Sequence, residues 1–217
     1  MLQKIQRFGG AMLMPSILFA FFGLVVGLTS ILKNPNLVGS IAAEGTLWYN
    51  FWFVVEQGGW TIFNQMPVVF ALGIPIGLAK KANGRAALEA FLIYMVYNYF
   101  INGFLTQFKF FGVDVTPALK LPTGITRIAG AITLDTSIIG SIVIASISVW
   151  IHNKYFDKKL PELLGIFQGS TFVILVGFLI MIPAAFLTAL LWPKVQLGIA
   201  ALQGFLKVSG VAGVFTY

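Results

Sequence analysis

The sequence contains no cysteine, a single histidine and few charged residues. Without cysteine the chain can form neither a disulfide nor a thiolate metal site, and it offers no cysteine nucleophile. One histidine cannot build a multi-histidine metal centre. Charged residues make up 10% of the chain, whereas soluble domains carry about 25%. We therefore expect no catalytic residues, no metal and no cofactor in this chain, and no soluble globular fold.

Long uncharged apolar runs fill the sequence instead. A helix rises about 1.5 Å per residue, so about 20 apolar residues cross the hydrocarbon core of a bilayer. Continuous runs of this kind predict helices and not the alternating pattern of a barrel. The fold class is therefore predicted to be an all-α membrane protein with about five transmembrane helices. The predicted helices cover residues 8–32, 57–79, 88–108, 128–151 and 163–192.

Three features modify this simple pattern. Residues 47–55 are aromatic and too short to span alone, so they predict an interfacial lead-in to the second helix. Pro67, Pro75 and Pro183 lie within predicted spans and remove backbone hydrogen bonds, which predicts kinks or half-helices. Residues 194–207 have helical apolar spacing and predict an amphipathic connector in the interface. Residues 208–217 are apolar but too short to span, and we expect them to be the start of a truncated further helix.

The chain has 14 basic residues against 7 acidic ones. The basic residues do not interleave with aromatics as a nucleic-acid-binding face would, so we expect no nucleic-acid partner and contact with membrane lipid instead. More of them fall on the side that includes the amino terminus and the loops around residues 80–85 and 154–159. Because cytoplasmic loops carry the excess of Lys and Arg, the amino terminus is predicted to be cytoplasmic.

Three segments carry a resemblance to a known family. They are FGGAMLMPSILFAFFGLVVGLT at 8–29, EQGGWTIFNQMPVVFALGIPIGLAKKANGRAALEA at 56–90, and TLDTSIIGSIVIASISVWIHNKYFDKKLPELLGIFQGSTFV at 133–173. Through these three segments the chain resembles enzyme IIC, the membrane component of bacterial sugar phosphotransferase systems. The resemblance is to the alpha-glucoside and maltose branch of the glucose superfamily. The resemblance implies that residues 1–193 form the scaffold and homodimer interface of an inner-membrane permease that imports an alpha-glucoside such as maltose.

The same resemblance implies that phosphoryl transfer occurs on partner domains, IIA and IIB, and not on this chain. The family's sugar site lies mostly beyond the scaffold, around a Gly-Ile-Thr-Glu-Pro signature. Gly124, Ile125 and Thr126 match its first three positions, but Arg127 and Ile128 follow, so we interpret the match as accidental. His152 lies in HNKY, which resembles an HNxY loop of the family, and we favour a polar helix end at the interface for it.

The candidate residues for a substrate path are Asp135, Asn64, Gln65 and Asn98. An ionisable group inside a span is a functional hypothesis by default, but Asp135 could equally cap a helix that begins later, together with Thr136 and Ser137. The amides, like the neighbouring Tyr94, Tyr97 and Asn102, favour interhelical hydrogen bonds over sugar contact. Glu56 and Glu89 are expected at membrane edges, solvated or paired with loop cations.

Two other functions remain open at the level of sequence. The chain could be the substrate-capture membrane subunit of another small-molecule transporter, or a membrane assembly protein that transports nothing. Dimerisation without sugar binding would favour the scaffold interpretation over the first of these.

Overall fold

A computed structural model of the protein describes residues 2–108 and 124–208. Over these residues the chain is mainly helical, with one small antiparallel sheet. The α-helices are α1 (Leu2–Leu32), α2 (Pro35–Val38), α3 (Leu47–Asn64), α4 (Met66–Leu78), α5 (Asn83–Phe108), α6 (Ser137–Tyr155) and α7 (Ser170–Val208). Strands β1 (Ile125–Ile128) and β2 (Ala131–Leu134) precede α6, and short 3₁₀ turns cover Ser40–Ala42 and Glu162–Phe167.

Four of these helices contain stretches that are each long and apolar enough to cross a membrane. These stretches are Gln6–Leu32, Asn83–Phe108, Ser137–Tyr155 and Ser170–Phe205. Helices α3 and α4 pass the same test together, and they meet at a bend of 59°. Counted as one broken span, they bring the number to five, so the predicted all-α membrane fold with about five spanning helices is confirmed.

The second span begins earlier than the sequence predicted, and it breaks just before Pro67. Thr46 caps α3, because its hydroxyl accepts a hydrogen bond from the Tyr49 amide at 3.1 Å. Residues 47–55, predicted as an interfacial lead-in, are therefore the first half of α3 and are continuous with residues 56–64. The helix ends at Asn64, and α4 starts one residue further on, with Pro67 in its first turn. Proline lacks an amide proton and suits a helix start, which places the predicted break at this point.

The predicted helix at 128–151 begins only at Ser137. The residues before it form a hairpin, in which Ile125 lies opposite Leu134 and Ile128 opposite Ala131. Ala129 and Gly130 both have positive φ, 47° and 86°, as a two-residue turn matching the strand twist requires. The predicted start at 128 was wrong, and the alternative of a helix that begins after Asp135 is confirmed.

The last predicted span and the connector form one helix. Gly169 has a φ of +71° and turns the chain, so α7 starts at Ser170 and not at 163. It continues through Pro183 and Pro193 to Val208, and no break separates the span from residues 194–207. The expectation of a further helix at 209–217 falls on residues outside the described ranges.

The chain divides into two compact units, of which the first comprises residues 1–91 and 137–154. Its core contains Phe70 and Ile74 of α4 and Ala145 of α6. Helix α1 packs on α3 and α4. A Cβ added at Gly77 would lie 2.4 Å from the Cβ of Ala11, so small residues let these two helices approach closely.

The second unit comprises residues 92–136 and 155–217. Helices α5 and α7 pack tightly there, because Gly177 lies directly against Ile93, and a Cβ at Gly177 would come within 2.4 Å of it. Two aromatic pairs extend this contact along the helices. They are Phe100 with Phe178 and Phe104 with Phe186, with ring centroids 4.9 and 5.5 Å apart.

Candidate functional site

Polar side chains collect on α5 where it meets the hairpin in the second unit. Asn98 is completely buried. Its amide nitrogen donates to the carbonyl of Tyr94 at 2.8 Å, and its amide oxygen accepts from the Thr133 hydroxyl at 3.2 Å. Both hydrogen-bonding ends of the side chain are therefore engaged within the protein, one with its own helix and the other with strand β2, and neither bond joins two helices.

Three further bonds attach neighbouring elements to α5. The Asn102 amide donates to the carbonyl of Ile132 at 2.7 Å, and the Tyr99 hydroxyl donates to the carbonyl of Ala129 at 2.8 Å. The Tyr97 hydroxyl lies 3.0 Å from the Thr188 hydroxyl on α7. These side chains hold the hairpin and α7 against α5, which is a structural use of polar groups within a membrane protein.

Tyr94 is the exception in this group. Its side chain is fully buried, yet its hydroxyl makes no hydrogen bond to any residue that the structure describes. A buried hydroxyl without a partner costs free energy of about 1–3 kcal/mol. Within the polar group on α5, this hydroxyl therefore has unused capacity for a water molecule or a ligand hydroxyl.

Asp135 does not lie inside a helix. It follows β2, and its side chain is exposed. Its amide donates to the carbonyl of Gly124 at 2.9 Å, which extends the hairpin pairing. Its carbonyl accepts from the indole nitrogen of Trp192 at 2.7 Å and from the amide of Gln196 at 3.3 Å. The backbone of Asp135 thus joins the hairpin to α7, and the interpretation of Asp135 as an ionisable group inside a span was wrong.

Asn64 and Gln65 lie at the break between α3 and α4 and are exposed. The backbone amide of Gln65 donates to the Thr61 carbonyl at 3.0 Å, and its carbonyl accepts from the Val69 amide at the same distance. These two candidates belong to the first unit, whereas Asn98 and Asp135 belong to the second.

The buried ionisable pair of the first unit was missed by sequence reasoning. His152 Nδ1 lies 2.6 Å from Glu89 Oε2, and each side chain is 1% exposed. His152 Nε2 lies 2.9 Å from the carbonyl oxygen of Lys81. His152 lies in the last turn of α6, as the predicted polar helix end requires, but its side chain is buried. Glu89 is buried against His152, so solvation or pairing with a loop cation was the wrong prediction for it. The partners are 63 positions apart, and the only signal for them was two ionisable residues within apolar helices.

The His152 ring contacts a partner through each of its nitrogens. Nδ1 faces the Glu89 carboxyl group, and Nε2 faces the carbonyl oxygen of Lys81, which can only accept a hydrogen bond. The pair therefore links α6 to α5 and to the turn after α4.

Glu56 behaves as expected for a residue at a membrane edge. Its carboxylate forms an ion pair with Lys33, the residue after α1, and lies 3.3 Å from the Ser30 hydroxyl. The Lys33 ammonium also lies 5.4 Å from the ring centre of Tyr49 and 5.2 Å from that of Phe53, within cation–π range. Pairing with a loop cation is therefore confirmed for Glu56.

In the part of the chain that the structure describes, no group of three His, Asp or Glu side chains is placed to hold a metal ion. The polar side chains described above form hydrogen bonds and ion pairs, which suit them to packing helices together and to contacts with polar solutes.

Comparison with known proteins assigns the family. The sequence model of the family described as "Phosphotransferase system, EIIC" matches residues 9–217. This chain belongs to the enzyme IIC family. The resemblance found in its sequence is thereby confirmed, and the broken span, the hairpin and the buried pair are features of an enzyme IIC chain.

Three curated relatives match the enzyme IIC chain over its whole length. It is 56% identical to the alpha-glucoside-specific EIICB component of Leptotrichia buccalis and 54% identical to the maltose-specific EIICB component of Bacillus subtilis, each over 218 residues. It is 52% identical over 219 residues to the phosphotransferase IIC component GlvC of Escherichia coli K12. The chain spans 41% of the length of the first two relatives and 60% of the third.

Proposed function

We propose that this enzyme IIC chain is the scaffold of a phosphotransferase-system permease that imports an alpha-glucoside such as maltose. The observation that carries the proposal is the identity of 54–56%, over the entire chain, to relatives named for alpha-glucoside or maltose. The sugar is phosphorylated during import by partner domains, IIB and IIA, since the family resemblance assigns the phosphoryl carriers to them. The names of both relatives combine the C and B components, which supports IIB as a direct partner.

The scaffold role rests on how the described residues use their polar groups. Asn98, Asn102 and Tyr97 are committed to bonds within the second unit. In the mechanism that we propose, a mobile transport domain carries the sugar by alternating access while this scaffold stays fixed in the membrane. Most sugar contacts then lie on the transport domain.

The substrate path past the scaffold is a more specific proposal. Asp135, Asn64 and Gln65 have exposed side chains, and exposed polar groups at a membrane protein's surface can be reached by a passing solute or by the transport domain. Asn98 is a weaker candidate because its amide is already satisfied. The Tyr94 hydroxyl, which has no partner among the described residues, joins the candidates.

We further propose a homodimer in the bacterial inner membrane with a cytoplasmic amino terminus. The distribution of Lys and Arg supports the orientation. Helix α1 exposes a row of large apolar side chains, including Leu13, Ile17, Phe21 and Leu24. This exposure supports the proposal that lipid or a second copy of the chain covers the helix. A surface of that kind requires lipid or a second copy around it.

Transport by the whole permease tests the substrate and the coupling. Membrane vesicles carrying the whole permease, loaded with phosphorylated IIB, should accumulate labelled maltose as its phosphate. Vesicles loaded with unphosphorylated IIB are the matched control and should accumulate none. Entry of unmodified maltose in the control would favour a transporter of another class. Failure to move any alpha-glucoside, by protein that is folded and membrane-inserted, would favour the assembly-protein alternative.

A further inference from the structure

The turn between α6 and α7 exposes apolar side chains to an unusual degree. Leu163 is 95% exposed and Ile166 is 84% exposed, and Leu164 and Phe167 are also exposed. All four belong to the 3₁₀ turn Glu162–Phe167. Leucine and isoleucine side chains this far out of the protein lose the whole benefit of burial unless something covers them.

The turn presents these side chains in an ordered way. In a 3₁₀ helix the side chains at i and i+3 eclipse one another, so Leu163 and Ile166 share one side, and Leu164 and Phe167 share the next. The Leu164 amide donates to the Pro161 carbonyl at 2.8 Å, and the Gln168 amide donates to the Gly165 carbonyl at 3.2 Å. The result is a short wedge, Leu163–Phe167, with two adjoining apolar sides.

The position of the wedge along the chain indicates what covers it. It lies between two spanning segments, one of which ends at Tyr155 and the other of which starts at Ser170. Three residues reach at most about 11 Å when fully extended, so Phe167 cannot be further than that from the start of a membrane helix. The polar interface of a bilayer adds about 5–7 Å on each side of the hydrocarbon core. The wedge is therefore held at the membrane surface by its own chain.

We propose that the wedge Leu163–Phe167 inserts into the headgroup region of the bilayer that this chain spans. The partner is lipid, because the wedge ends three residues before α7, an apolar membrane-length helix on which Leu175 and Leu179 are also exposed. Lys158 and Lys159 precede it and are exposed, but the exposed Asp157 and Glu162 balance their charge, so attraction to anionic headgroups is not required. Apolar insertion is thus the main contribution, and it sets the depth at which α7 enters the membrane.

The absence of cysteine makes a direct test simple. Leu163→Cys and Ile166→Cys each introduce the only thiol into the chain at an exposed site, so each can be labelled and interpreted independently. The chain of 217 residues, which has no other cysteine, is placed in lipid nanodiscs, which leave both membrane faces open to reagents. Two matched variants serve as references: Lys159→Cys in the exposed loop, and Leu175→Cys at an exposed position within the apolar span of α7.

If the wedge inserts, a charged thiol reagent that does not enter lipid reacts with Leu163→Cys and Ile166→Cys at least tenfold more slowly than with Lys159→Cys. A fluorophore at either site is quenched at least twofold by lipids with a quencher near the headgroup. At Leu175→Cys a quencher placed deeper in the acyl chains is the more effective one.

Two results would overturn the proposal. Reaction as fast as at Lys159→Cys, with no quenching by lipid, would place the wedge in water. Slow reaction without lipid quenching would mean that protein and not lipid covers it. Each labelled site decides between these outcomes without the other, so a folding defect in one variant leaves the second variant fully informative.

Discussion

His152 Nδ1 lies 2.6 Å from Glu89 Oε2, although the two residues are 63 positions apart in the chain. Both side chains are buried, and His152 also contacts the carbonyl of Lys81 through Nε2. A neighbouring bond, from the amide of Lys80 to the side-chain oxygen of Asn153 at 2.8 Å, reinforces the attachment. Together these contacts fasten the end of α6 to α5 and to the turn after α4.

Removing one member of this pair should destabilise the protein strongly. His152→Ala leaves the Glu89 carboxyl group buried without its partner, and loss of one partner from a buried pair costs about 3–5 kcal/mol. The free energy of unfolding in detergent micelles measures the effect. Lys159→Ala is the matched control, because Lys159 is exposed in the loop after α6, and we expect a change of about 0.5 kcal/mol or less for it.

The double variant distinguishes pairing from general damage. The double variant Glu89→Ala with His152→Ala should lower the free energy of unfolding by clearly less than the sum of the two single variants. In the double variant no buried partner is left unpaired. Simple additivity in the same unfolding measurement would show that the two side chains do not act together.

Close approach of α1 and α4 gives a second prediction. At Gly77 a new Cβ would lie 2.4 Å from the Cβ of Ala11, so Gly77→Ala should lower stability by about 1–3 kcal/mol through overpacking. Gly103, within α5, has nothing within 4 Å of an added Cβ. Gly103→Ala should therefore be neutral, or stabilising by about 1 kcal/mol, since alanine is the better helix former. Equal effects at the two glycines would refute the close contact.

The hairpin turn predicts opposite effects at neighbouring positions. Ala129 and Gly130 both have positive φ, a region in which a bulky residue is strained by about 1–2 kcal/mol. Gly130→Val should therefore destabilise the protein, whereas Ala129→Asn introduces the Asn-Gly pair that such turns prefer. Unfolding midpoints should move down for the first and up for the second. A shift in the same direction for both would argue against this turn geometry.

The two tyrosines on α5 form a further matched pair. The Tyr97 hydroxyl bonds to Thr188, and a polar bond between membrane helices contributes about 0.6 kcal/mol on average, so Tyr97→Phe should lower stability by about that amount. The Tyr94 hydroxyl has no partner among the described residues, and Tyr94→Phe should be neutral or stabilising. Maltose uptake that falls in Tyr94→Phe at unchanged stability would place this hydroxyl on the substrate path.

The spanning helices could be predicted from sequence because lipid imposes one requirement, a long apolar run, that each segment meets alone. The family could be recognised because its motifs are long and contiguous. The hairpin at 125–134 was missed because its apolar residues continue those of α6, and a short apolar run does not distinguish strand from helix. The turn formed by Ala129 and Gly130 was the available signal.

The long-range contacts could not be predicted from the sequence for a different reason. No sequence pattern around Glu89 indicates a contact with His152, because that contact depends on how α5 and α6 pack. The continuity of α7 through Pro193 was missed because proline often marks a helix boundary, although a membrane helix tolerates the loss of one backbone bond when its surroundings compensate. Asp135 was misplaced for a related reason, because its depth was counted from a helix start that the hairpin occupies.

The most direct test of the scaffold role uses the purified chain of 217 residues by itself. Its mass in lipid nanodiscs or mild detergent is measured by light scattering, and maltose binding is titrated on the same sample by calorimetry. We predict a stable dimer that shows no saturable maltose binding, because in our proposal the groups that hold the sugar lie on the transport domain. A monomer that binds maltose saturably would contradict it.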